Sequence, residues 1–279
     1  MVKFIAEVSS NHSQDIDRCK EFVKVAAKSG FDSVKFQLFK IDELFTQDVI
    51  NKSEDHAKRR KWELPKEFLP IIKEECLKYK IELGITPFYI DAIKESIDYV
   101  DYFKIASYEI LWLELIQKCA LTEKPVIFST GMAKMDEIEN AYKTLINNNC
   151  SDISILHCTS AYPTPPNEVN LSAIKTIRDK FNTKVGWSDH TNNEAVVISS
   201  VLKWGAEIVE IHLDLDGNGE EFAPGHCWLP DSASRIIDIC KSVEMYTGSG
   251  LKEPVPSELS DRDWRADPSD GLRPLKIIR

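Results

Sequence analysis

The chain has 279 residues, a formal net charge of −10, and ordinary apolar (43%) and aromatic (9%) content. This fits one large α/β domain or two average ones, with room for a sizeable core. The charge argues against general affinity for nucleic acid or a membrane surface, while leaving room for a local basic pocket that takes an anion. No run of about eighteen apolar residues is present to span a bilayer. The N-terminus meets Glu7 too early for a signal peptide, so a cytoplasmic protein is expected. The seven cysteines are odd in number and lack metal-finger spacing, which fits reduced, buried thiols.

In chain order, residues 4–9 read as a short apolar strand. Residues 15–29 follow with a helical stripe of Ile16, Cys19, Phe22, Val23, Ala26 and Ala27, ended by Gly30. Residues 33–39 form the second strand. A polar stretch, 40–63, then separates it from a helix beginning near Pro65, and a loop of that length is expected to be functional or mobile. Residues 83–88, 102–107, 125–130, 153–158, 185–190 and 208–213 supply six more strands, each followed by a helical pattern. After the eighth comes a stretch rich in Gly, Asp and Glu, 214–230, and a last helix over 231–246. The remainder, 248–279, shows little helical or strand pattern and is too short for a second domain. The expected organisation is a barrel over 1–247 and a tail over 248–279.

Eight strands alternating with helices match a (β/α)8 TIM barrel in number and length. An open, doubly wound sheet is the alternative, but no Gly-x-Gly-x-x-Gly turn follows the first strand. A barrel brings the carboxyl ends of all its strands to one mouth, and polar residues do gather at those ends. They are Glu7, Lys35, Gln37, Thr86, Lys104, Ser107, Ser129, Thr130, His157, Thr159, Ser160, Ser188, His190, Glu210 and His212. His190 and His212 end neighbouring parallel strands, a pairing that suits a divalent metal; the other reading is that each caps its strand by hydrogen bonding. Lys35 and Lys104 sit inside strands, where an unpartnered ammonium is costly. With Thr86, Ser107, Ser129, Ser160 and Ser188 they suggest a pocket for a phosphate and a carboxylate, and the other reading is structural pairing with buried acids.

These residues carry a resemblance. Phe4-Ile-Ala-Glu7 with Asn11-His12, Val34-Lys-Phe-Gln37, Thr86-Pro-Phe88, Phe103-Lys-Ile-Ala-Ser107 with Glu109, Ser129-Thr-Gly-Met132, Leu156-His-Cys-Thr-Ser160-Ala-Tyr-Pro-Thr-Pro165, Trp187-Ser-Asp-His-Thr191 and Glu210-Ile-His212 are similar to motifs of the sialic acid (N-acetylneuraminate) synthase family, over residues 3–246. The resemblance implies a cytoplasmic, homodimeric barrel enzyme. Its reaction would condense phosphoenolpyruvate with the open-chain aldehyde of an aldose or amino sugar, giving a 2-keto-3-deoxy sugar acid and phosphate. It implies a divalent metal on His190 and His212, manganese above magnesium or cobalt. It puts phosphoenolpyruvate among Lys35, Thr86, Lys104, Ser107, Ser129, Ser160 and Ser188, and the sugar near Gln37, Glu109 and Tyr162. Glu7 then lies beside the reacting carbons, and Glu7, Lys35, Lys104, His190 and His212 form the catalytic set.

Two departures fall on the sugar side. The family's C-terminal antifreeze-like domain, whose arginine reaches a neighbouring subunit's sugar, is expected to have no counterpart here. The family's Gly-Pro-Asp after the eighth strand is here Pro224-Gly225-His226. His226, with Arg262, Arg265 or Arg273 of a tail folded over a barrel mouth, is therefore expected at the sugar, the other reading of these arginines being that they pair only with surface acids, and the acceptor is expected to differ from N-acetylmannosamine. The competing readings are a metal-dependent sugar isomerase or epimerase, which leaves the lysines and serines unexplained, and a non-catalytic sugar-phosphate-binding barrel.

Overall fold

A computed structural model of the chain describes residues 2–279, with the side chain of residue 244 outside the description. Eight parallel strands form one sheet: β1 (Lys3–Glu7), β2 (Ser33–Leu38), β3 (Glu82–Pro87), β4 (Tyr102–Ile105), β5 (Val126–Ser129), β6 (Ile153–Cys158), β7 (Lys184–Asp189) and β8 (Ile208–His212). Each pairs with the next and β8 closes on β1, so the sheet is the expected (β/α)8 barrel. Contacts divide the chain into two compact units, Met1–Lys241 and Ser242–Arg279. Among the described residues, no helix is long and apolar enough to cross a membrane.

Local chemistry explains the elements. The first helix, Ile16–Lys28, starts where the Asp15 carboxylate accepts from the Asp17 and Arg18 N–H groups at 2.8 and 3.2 Å, relieving two donors that the first turn leaves free. Its stripe of Cys19, Phe22, Val23 and Ala26 is buried, as are the strand faces that the helices cover. The barrel interior is closed by a separate layer of Ile5, Tyr102, Ile127, Leu156 and Ile208. Each such aliphatic side chain contributes roughly 1.5–3 kcal/mol on burial. The Tyr102 hydroxyl meets Ser33 Oγ at 2.7 Å, so the one polar tip in that layer is satisfied. The parallel register places Glu7 beside both Lys35 and His212, and Ser188 beside Glu210, one layer nearer the mouth.

Two segments depart from expectation. Residues 40–63 are not an open loop: they fold into the short helices Ile41–Leu44, Gln47–Lys52 and Glu54–Lys58 and a 3-10 turn, Arg59–Trp62. Phe39, Ile41 and Ile50 form a small buried cluster there, with Leu44, Phe45, Trp62 and Phe88 packed on it. The tail, expected to lack regular structure, contains a 3-10 helix, Pro256–Trp264. Within that unit the Asp267 carboxylate accepts from the backbone N–H groups of Ser269 and Lys276 at 2.9 and 2.8 Å, and Arg279 pairs with Asp270 at 2.6 Å.

Candidate active site

The carboxyl ends of the strands enclose a small cavity of about 60 Å³, lined by Glu7, Lys35, Gln37, Thr86, Lys104, Ser107, Ser129, Tyr162, Ser188, His190, Glu210 and His212. One half is built on lysines. Lys35 Nζ pairs with the Glu7 carboxylate, donates to Thr86 Oγ1 at 2.9 Å and lies 3.8 Å from Glu210 Oε2. Lys104 Nζ donates to Ser129 Oγ at 2.5 Å and lies 3.6 Å from Glu210 Oε1, which also accepts from Ser188 Oγ at 3.0 Å. Gln37 Nε2 donates to Glu7 Oε1 at 2.8 Å.

The two ammoniums thus share the buried Glu210 and Lys35 also holds Glu7, which is the structural pairing with buried acids that stood as the other reading. Pairing and anion binding are compatible, because a ligand can take over donors that the carboxylates now hold. Burial draws the Lys104 ammonium below its ordinary value against the pull of Glu210. Burial acts on Lys35 in the same sense, yet Glu210 and Glu7 outweigh it and raise that group. Burial would raise Glu210, but Lys104 and Lys35 bring it down to about 2.

Glycine makes the adjoining wall possible. A Cβ on Gly131 would collide with Ser160 Oγ and Ser107 Oγ, so only glycine lets this backbone approach. The Gly131 N–H donates to Ser107 Oγ at 3.0 Å, and Ser107 Oγ lies 3.1 Å from Cys158 Sγ. Ser160 Oγ is buried against this wall and has no hydrogen-bond partner among the described residues.

The other half is built on imidazoles. His190 Nδ1 lies 2.8 Å from the Thr159 carbonyl, which only accepts, so Nδ1 carries the proton and Nε2 keeps its lone pair. Burial, then the neighbouring His212, hold His190 down to about 3. His212 Nδ1 is 3.2 Å from Glu221 Oε2; burial would lower this imidazole, but that carboxylate raises it. The ring centroids of His190 and His212 are 5.3 Å apart, and those of His212 and His226 are 4.8 Å apart. The Tyr162 ring packs on His190 and His226, with centroids at 4.3 and 5.1 Å.

His212, Glu221, His226 and Cys227 offer ligand atoms that all lie within 4.8 Å of one another. Imidazole nitrogens beside a carboxylate are a donor set that suits a divalent cation. Glu221 was not picked out from the sequence. It lies in an irregular, acid-rich loop without periodicity, and only tertiary contacts bring it to the histidines.

Of the remaining residues expected at the site, Glu109 closes a 3-10 turn behind Ser107 and is buried. Its Oε2 has no partner among the described residues, and burial, opposed by Lys104, pushes the carboxyl up to about 8. Arg262, Arg265 and Arg273 belong to the unit Ser242–Arg279, where Arg265 Nε donates to the Arg262 carbonyl at 2.6 Å. A larger cavity of about 470 Å³ opens at the amino ends of the strands, lined by Lys3, Glu82, Asp152 and Lys184 among others. Its charges are paired with one another, Lys3 with Glu82 and Lys184 with Asp152.

Lysines, carboxylates and histidines converge on the carboxyl-terminal mouth of a closed parallel barrel, the face on which enzymes of this fold carry their active sites. The chain belongs to the NeuB family, whose description matches residues 22–252. It is 42% identical to an uncharacterized protein of Methanocaldococcus jannaschii, over 91% of this chain and 74% of that one. It is 33% identical to the N,N'-diacetyllegionaminic acid synthase of Campylobacter jejuni, over 91% of this chain and 80% of that one. Among solved structures, the N-acetylneuraminic acid synthetase of Leptospira borgpetersenii superposes with a TM-score of 0.83 at 29% identity, covering 93% of this chain and 90% of that one.

Proposed function

We propose that the chain condenses phosphoenolpyruvate with an open-chain aldose or amino sugar, giving a 2-keto-3-deoxy sugar acid and inorganic phosphate. The observation that carries this reading is the juxtaposition at one mouth of two buried lysines, ringed by hydroxyls, with a cluster of imidazoles. Relatives named for sialic, legionaminic and pseudaminic acid synthesis support it, and they are why the acceptor is left as a class. The Pro224-Gly225-His226 sequence, which departs from the family pattern on the sugar side, favours an acceptor other than N-acetylmannosamine.

In this reading Lys35, Lys104, Thr86, Ser107, Ser129, Ser160 and Ser188 bind the phosphate and carboxylate of phosphoenolpyruvate, while Gln37, Glu109 and Tyr162 face the sugar. Carbon 3 of the enol forms the new bond to the aldehyde carbon as the aldehyde C=O π bond opens and its oxygen becomes a hydroxyl, gaining the proton equivalent that the added water releases; this is efficient only when both carbons are held at contact distance. Positive character develops at carbon 2 and water adds there. Glu7, held by Gln37 and Lys35, takes the proton of that water. The carbon 2–oxygen bond to phosphorus then breaks, and the lysines and hydroxyls stabilise the departing phosphate. A divalent metal, held by His190 and His212, would supply Lewis-acid polarisation of the aldehyde oxygen.

Incubation with Mn2+, phosphoenolpyruvate and a panel of aldoses, followed by phosphate measurement, tests the reading. Phosphate release that requires both phosphoenolpyruvate and one aldose is expected. Rearrangement of an aldose with no phosphoenolpyruvate consumed would replace the synthase by a sugar isomerase.

A further inference from the structure

We propose that loop 214–229 supplies two further metal ligands, Glu221 and His226, so that the protein donor set is His190, His212, Glu221 and His226 rather than a pair of histidines. The inference rests on the metal-dependent reading above. It moves His226 from the sugar to the metal.

Four observations carry it. First, the donor atoms of His212, Glu221 and His226 fall within 4.8 Å of one another, with Glu221 Oε2 at 3.2 Å from His212 Nδ1 and 3.7 Å from His226 Nε2. Second, His226 is only 3% exposed, and neither of its ring nitrogens has a hydrogen-bond partner among the described residues. A buried polar atom left unpaired costs about 1–3 kcal/mol, so an imidazole with two such atoms calls for a ligand.

Third, the carboxylate is fixed before any ion arrives. Ser9 Oγ donates to Glu221 Oε1 at 2.5 Å, and the Glu221 N–H donates to Asn11 Oδ1 at 2.8 Å. Gly219 is needed for this, because a Cβ there would strike both Asp214 and Asn11. Arg18 bonds Asp214 at 2.9 Å and Asp216 at 3.0 Å, tying the start of the loop to the first helix. Such anchoring contacts orient metal ligands and raise affinity. Fourth, the remaining candidate is otherwise engaged: Cys227 Sγ donates to the Glu221 carbonyl at 3.2 Å. A neutral thiol that donates to a carbonyl holds the loop and is a poor ligand.

The test uses Mn2+ alone, without phosphoenolpyruvate or sugar, on the full chain. Titration calorimetry should show one Mn2+ bound, with affinity reduced at least about 10-fold in Glu221→Gln and in His226→Gln. Pulsed electron paramagnetic resonance should count three bound imidazoles in the wild type and two in His226→Gln. His226→Gln keeps much of the side-chain volume, and thermal melts of the metal-free variants check that each is folded. If a variant does not fold, the wild-type imidazole count decides alone. Two imidazoles in the wild type, or unchanged Mn2+ affinity in folded Glu221→Gln and His226→Gln, would overturn the ligand set. Because nothing here depends on turnover, a chain that binds Mn2+ as expected yet releases no phosphate would overturn the synthase reading and leave this inference standing.

Discussion

The lysine half and the imidazole half of the barrel mouth are adjacent, equally buried and built from the same strand ends, yet they handle their polar groups differently. Lys35 and Lys104 share Glu210, Lys35 also pairs with Glu7, and Thr86, Ser129 and Ser188 are bonded into the same network. Across the mouth, neither nitrogen of His226 has a hydrogen-bond partner among the described residues, and Glu221 Oε2 sits between imidazoles, 3.2 Å from His212 Nδ1 and 3.7 Å from His226 Nε2. The difference follows from charge. An ammonium cannot be buried without a counter-charge, so that half must be neutralised within the protein. Imidazoles can stay neutral in the interior with their lone pairs unused, and His190, held down to about 3, does so. One half therefore has its ammonium charges balanced before an anion arrives and must exchange partners to accept it. The other is left with donor atoms to offer a cation.

The largest effect should come from the imidazole half. His190→Ala and His212→Ala should each lower turnover by at least about 10³-fold, on the scale of losing a preorganised electrostatic group, with the melting temperature nearly unchanged. Near wild-type phosphate release from either variant would remove these residues from the chemistry.

The lysine half should respond through stability as well as binding. Lys35→Met leaves Glu7 without its cation and should cost about 3–5 kcal/mol in urea denaturation, the usual penalty for one orphaned partner of a buried pair. Lys104→Met should cost less, because its nearest carboxylate oxygen is at 3.6 Å and Glu210 keeps Lys35. Its signature is instead a loss of about 10–100-fold in phosphoenolpyruvate affinity, the scale of one charge-assisted hydrogen bond, with acceptor affinity unchanged. Equal weakening of both substrates in calorimetry would mean that Lys104 supports the barrel and not the anion.

Much of this contrast was legible in the sequence because a parallel barrel encodes its mouth linearly. Each strand is an apolar run ended by polar residues, and eight repeats of that pattern place Lys35, Lys104, His190 and His212 together without any knowledge of contacts. The identity of the lysines' counter-charges was less accessible, though both acids stand at strand ends. Glu7 neighbours Lys35 in the β1–β2 register, but Glu210 reaches Lys35 and Lys104 across the barrel interior. Glu221 was invisible, since its position depends on Ser9, Asn11 and Gly219 in a segment with no period. Residues 40–63 failed for a related reason: Ile41 and Ile50 are buried by tertiary packing against Phe39, and their spacing marks no helix face.

The smallest effect, and the finest check on how fully the lysine charges are committed, concerns Glu109. Its carboxyl is raised to about 8 by burial, with Lys104 only partly opposing, as expected if that ammonium is already engaged with Glu210. The native chain then holds a proton that the unfolded chain, with an ordinary carboxyl near 4.5, releases. Below about pH 4.5 both states are protonated and the group has no effect. Between 4.5 and 8 the native state binds the extra proton, so stability falls as pH rises, by up to about 1.4 kcal/mol per pH unit. Above 8 both states are ionised and the loss is complete. Glu109→Gln has no proton to retain, so its stability relative to the wild type should grow by roughly 1 kcal/mol between pH 6 and pH 7 in denaturant titrations. A difference that does not change with pH would mean that Glu109 is ionised in the native state. Lys104 would then have charge to spare for it, and the lysine half would be less fully neutralised by Glu7 and Glu210 than its distances imply.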